Sequence, residues 1–148
     1  MTEVEFFDLI VVPTVEDFLR NPGNIRLGVL SCIALQAMNE HYYHANKSNL
    51  SGKSKSQFKK ELRDRDFAFR QVMDIANGTK HVVLDSGENA GKSPINDLHL
   101  EVPAECGIAR CGFPLSSEPY VFVDDENKWL LCQLAEHVLR KWKETLGI

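Results

Sequence analysis

Between residues 24 and 45, Leu27, Leu30, Ala34, Ala37, Met38, His41 and Ala45 recur at steps of three and four, the spacing of one face of an α-helix. A second run of the same period extends from residue 55 to 77 through Phe58, Leu62, Phe69, Val72, Met73 and Ala76, and Asn77-Gly78 supplies a C-terminal stop. Residues 47 to 56 between them are rich in Ser, Lys and Asn and lack apolar anchors, which predicts a surface loop joining two antiparallel long helices. Ahead of them, residues 3 to 12 are mixed, Pro13 interrupts, and Thr14 is a candidate N-cap with Asp17 three residues on; Asn21-Pro22-Gly23 then turns the chain. After Gly78 the period changes. The β-branched run at 81 to 84, the alternation of Leu98, Leu100 and Val102, and a third run at 120 to 123 predict a small antiparallel sheet. Leu131, Leu134, Ala135, Val138, Leu139, Trp142 and Leu146 form a wide apolar stripe on a closing helix.

These elements imply an α+β fold, mainly α: a bundle of long antiparallel helices with a small antiparallel sheet and a C-terminal amphipathic helix. One domain is expected over residues 1 to 148, with a helical lead-in (1–80), a β and loop segment (81–127) and the closing helix (128–148). Hydrophobic residues at 43% and charged residues at 26% exclude a disordered or collagen-like chain. The longest apolar stretch, residues 27 to 35, is interrupted by Gly28, Ser31 and Cys32 and falls short of the ~18 residues that span a bilayer, so no membrane role is expected. The acidic N-terminus lacks the basic start of an export signal, which predicts a cytoplasmic protein with reduced cysteines, Cys32 and Cys132 in its core.

Charge sharpens the functional question. The formal net charge of −4 excludes a surface that binds polyanions everywhere. Residues 47 to 80, however, hold nine basic and four acidic side chains, a local +5 that leaves −9 for the rest. On one continuous helix Lys59, Arg63 and Arg70 would share the side opposite the apolar face, with Phe67 beside them, a basic stripe and aromatic suited to tracking a phosphate backbone and stacking a base. The competing reading is a solvated face balanced by Glu61, Asp64 and Asp66. Arg65 falls within the apolar stripe and is expected to reach out to solvent along its stem.

At the end of this helical stretch stand Asn77, Lys80 and His81. The Asn77-x3-His81 spacing resembles the Arg-polar-x3-His motif of HEPN-type helical domains, with Ala76 in the arginine position. The pattern also resembles small bacterial and phage proteins. The HEPN resemblance implies a helical bundle that pairs as a homodimer and, in catalytic members, a histidine that cleaves RNA without metal at the 2′-hydroxyl. Since Ala76 cannot hold a phosphate, the expectation is a non-catalytic interaction or nucleic-acid-associated module with an RNA or protein partner. The alternative is a metal-independent ribonuclease in which His81 acts with Lys80, Arg65 or Arg70 in the arginine's place.

Other constellations carry less. His41 and His44 could converge with His81 on a transition metal, although neither an (i, i+4) histidine pair nor Glu-x-x-His is present. Cys106 and Cys111 lack an obvious completing set for zinc. The loop from Gly87 to Ser93 has three residues between its glycines where a phosphate cradle needs four. No cofactor is expected.

Overall fold

The computed structural model describes residues 1–79, 99–100, 119–122 and 128–148. The N-terminal helical stretch runs as α1 (Glu3–Phe6), a π-helical turn (Phe7–Val11) and α2 (Val12–Arg20), with no break at Pro13. Thr2 and Glu5 form a reciprocal capping box at its start. The Val12 amide donates to Phe7 O, five residues back, and this wide turn admits Pro13 in the first turn of α2, where its missing N–H costs little. Thr14 therefore caps nothing: its hydroxyl donates back to Ile10 O inside the helix.

The long helix α3 (Ile25–Ala45) is capped by Asn24, whose side chain accepts from the Leu27 amide. Its burial departs from a single stripe. Gly28, Ser31, Cys32, Leu35, Gln36 and Tyr43 are buried with Ala34 and Met38, whereas Leu30 and Ala45 are exposed. The physical reason is position, because α1, α2, α5 and α6 all pack on α3 and cover several of its sides.

The second long helix of the sequence reading is two helices, α4 (Lys55–Arg65) and α5 (Phe67–Gly78). Asp66 divides them with an extended backbone (φ −146°, ψ 120°), and its side chain caps α5. Tyr43 lies against Phe58 near one end of α3 and Gln36 against Asn77 further back, so α4 and α5 run antiparallel to it. A three-stranded antiparallel sheet follows, in the order β1 (His99–Leu100), β2 (Pro119–Phe122), β3 (Lys128–Leu130), with Val121 opposite Trp129 and Tyr120 opposite Leu130. The expected strand at 81 to 84 lies outside the described residues. Residues 128–130, expected in the closing helix, instead form β3, and α6 (Leu131–Leu146) begins after it.

The core gathers Phe7, Phe18, Leu35, Met38, Ile75 and Leu131, all fully buried, around Trp142. Burying each such side chain contributes roughly 1.5–3 kcal/mol before conformational entropy is subtracted. At Gly28 α3 comes close to α6 and α2: a Cβ there would lie 2.7 Å from Leu131 Cδ2 and 3.0 Å from Phe18 Cζ. Together these elements bear out the α+β, mainly helical reading. No helix of the described residues is long and apolar enough to cross a membrane.

Candidate functional site

The basic stripe does not form as one face, because the break at Asp66 separates Lys59 and Arg63 on α4 from Arg70 on α5. Lys59 donates to Glu40 at 2.8 Å, and that bond, assisted by Lys55, lowers the Glu40 carboxyl below its ordinary value against the opposing effect of desolvation. Arg63 lies 2.9 Å from the buried Asp74 carboxylate. Both cations are thus committed to intramolecular pairs. Arg65 stands clear of the core, 3.8 Å from Glu61 and three-quarters exposed, as the snorkelling expectation has it. Asn77 is half-buried and its side-chain carbonyl accepts from Gln36 on α3. Lys80, His81, Cys106, Cys111 and the loop from 87 to 93 lie outside the described residues.

The two histidines of α3 do not point together at the second helical pair. His41 stacks on Phe6 of α1 with ring centroids 3.8 Å apart, and His44 is exposed beside Tyr43; Tyr42 and Tyr43 face Phe58 instead. Among the described residues no group of three His, Cys, Asp or Glu side chains is placed to hold a metal.

Phe67 and Arg70 do come together, and they lead elsewhere. The Arg70 guanidinium sits 5.4 Å from the Phe67 ring centroid, a cation–π distance. Phe67 meets Trp129 of β3 edge to face at 6.1 Å, and Trp129 meets His137 of α6 at 5.9 Å. Trp129 and His137 in turn line a cleft of about 790 Å³ between α2, β3 and α6, bounded by Glu16 and Leu19, Lys128, and Gln133, Glu136, Leu139, Arg140 and Lys143. Gln133 also helps start α6 by accepting from the Leu130 amide.

His137 is held from outside its own helix. Its Nε2 lies 2.7 Å from Asp66 Oδ2, while Asp66 Oδ1 accepts from the amides of Ala68 and Phe69 at 2.8 and 3.3 Å. Burial alone would raise the Asp66 carboxyl; the His137 bond and the two amides outweigh it and hold it below the usual carboxylate range. With Nε2–H directed at the Asp66 carboxylate, the neutral ring has Nδ1 as its acceptor, and Arg140 Nη2 stands 3.4 Å from that atom. Chemically this is an imidazole oriented by a carboxylate, the arrangement that prepares a histidine to take a proton.

Among the described residues Arg140 and Lys143 make no salt bridge to a carboxylate, and of the two acids in the cleft, Glu16 and Glu136, Glu16 is bound by Arg20 at 3.0 Å. The cleft therefore offers cations, an anchored aromatic and an oriented histidine within one concavity. His137 and Trp129 escape a sequence reading because His137 lies on the polar flank of the α6 stripe and its partner is 71 residues away. The chain matches no protein-family model, no curated protein and no solved structure.

Proposed function

We propose that the protein is a non-catalytic, nucleic-acid-associated interaction module that engages single-stranded RNA in the cleft between α2, β3 and α6. The observation that carries this reading is the continuous path from Arg70 and Phe67 through Trp129 to Arg140 and Lys143. Stacking on an aromatic platform and backbone contact by cations are the two requirements for binding a single strand without strong sequence preference. The HEPN resemblance is compatible with such a role and adds the proposal of a homodimer. Fluorescence anisotropy of a labelled RNA octamer at low salt tests the reading: binding weakens at least about fivefold in Trp129→Ala, from the ~1–3 kcal/mol of one stacked base. Unchanged affinity in that variant removes the cleft as the contact surface.

The Asp66–His137 pair favours a second reading, a metal-independent ribonuclease. His137 would accept the 2′-hydroxyl proton as the 2′-oxygen attacks phosphorus and the bond to the 5′-oxygen breaks, and a proton then returns to that leaving oxygen. His81, with Lys80, remains the residue this reading takes from the sequence. Incubating the same octamer in EDTA separates the two, since cleavage lost in His137→Ala or His81→Ala makes the protein an enzyme, and intact RNA leaves a binding module.

A further inference from the structure

We propose that the cleft accepts one base of the strand and prefers guanine, with Glu136 reading its edge; this rests on the nucleic-acid reading above and names what that site selects. A surface meant only for phosphates would carry one sign of charge. This one places Glu136 among Arg140, Lys143 and Lys128, and among the described residues Glu136 forms no salt bridge with any of them. An acid in that position repels a phosphate and favours a ligand group that donates.

The bases differ in what they donate. Guanine alone presents two adjacent donors, N1–H and the N2 amino group, on its Watson–Crick edge, and an ionised carboxylate with two acceptor oxygens matches them in a bidentate pair. Adenine and cytosine set one amino group beside an acceptor nitrogen, and uracil flanks its N3–H with two carbonyls, so each brings a lone pair against Glu136. The rest of the cleft suits a purine nucleotide. Trp129 is held edge-on by Phe67 and His137 and stays partly exposed as a stacking surface, and Leu19 and Leu139 supply apolar wall. Arg140, one helical turn beyond Glu136, and Lys143, one turn further, are placed for the adjoining phosphates. A volume of about 790 Å³ lies within the range of sites that enclose ligands of this size.

The test is titration of the full chain with four RNA octamers, U8 and its variants with one central G, A or C, read by tryptophan fluorescence. Trp142 is buried, so quenching reports Trp129 in the cleft. The G-containing octamer is expected to bind about tenfold more tightly than the other three, the order of one bidentate base-edge contact. In Glu136→Gln that preference falls to within about twofold, because an amide offers one acceptor where the carboxylate offers two, and U8 binds no more weakly than to the wild type, because the neutral amide no longer repels the phosphates or the uracil carbonyls. Equal affinity for all four octamers, or a guanine preference that survives Glu136→Gln, overturns the inference and leaves the binding module intact. Failure to bind any octamer overturns both.

Discussion

Replacing Asp66 by alanine removes two roles at once, and their sizes follow from the geometry. Oδ1 caps α5 through the Ala68 and Phe69 amides, and an Asp-to-Ala change at an N-cap costs about 1 kcal/mol. Oδ2 holds His137 at 2.7 Å, with both side chains about a quarter exposed, and a charge-assisted bond so partly screened contributes about 1 kcal/mol more. Asp66→Ala should therefore lose about 2 kcal/mol, a fall in Tm of roughly 6–8 °C for a chain of this length. Asp66→Asn keeps the capping oxygen and replaces the charged acceptor facing His137 with an amide donor, so it should lose about half as much. The contribution also depends on pH. Because the folded state holds the Asp66 carboxyl below its unfolded value, its stabilisation is fully present above the unfolded value, near pH ~4, and is lost as pH falls through the lower folded value. Urea unfolding at pH 7 and pH 3 measures both effects. Equal losses in the Ala and Asn variants at pH 7, or an Asp66→Asn penalty undiminished at pH 3, would refute this division of roles.

Three further outcomes follow. Gly28→Ala gains up to ~1 kcal/mol of helix propensity, but its Cβ meets fully buried Leu131 and Phe18, so overpacking of about 1–3 kcal/mol wins and thermal unfolding should show net destabilisation; a raised Tm would contradict it. Burial pushes the Cys32 thiol up to about 12, so at pH 8 iodoacetamide should leave it unmodified in the native protein and alkylate it in urea, as peptide mass spectrometry would show. Reversing both Arg140 and Lys143 to Glu should flatten the salt dependence of RNA binding by about 0.7 per lost phosphate contact in the log–log slope, and an unchanged slope would place the phosphates elsewhere.

The helical period carried α3 and α6 into view, and a β-like run did the same for the strand around residue 120, because each buries apolar side chains against one core. It missed the break at Asp66. Phe58 and Leu62 continue in phase with Phe69 and Val72, so one interrupting cap residue leaves the pattern intact although the backbone turns out of the helix. The signal available was Asp66 itself, a good N-cap and a poor interior residue. β3 was invisible for a different reason: three residues are too few to show alternation, and Lys128–Leu130 runs directly into the α6 stripe. The site was the least legible part. Lys59 and Arg63 read as free cations until the fold supplied Glu40 and Asp74, whereas Arg140 and Lys143 look like ordinary charges on a closing helix until β3 brings Trp129 beside them.

The cleft as the contact surface is tested most directly by ultraviolet cross-linking of a 4-thiouridine-substituted RNA octamer to the full chain, followed by peptide mapping. Adducts concentrated on the peptides that carry Trp129 and residues 133 to 143 are the predicted result. Adducts confined to the basic segment around Lys59 and Arg63 would contradict it and return the contact surface to α4.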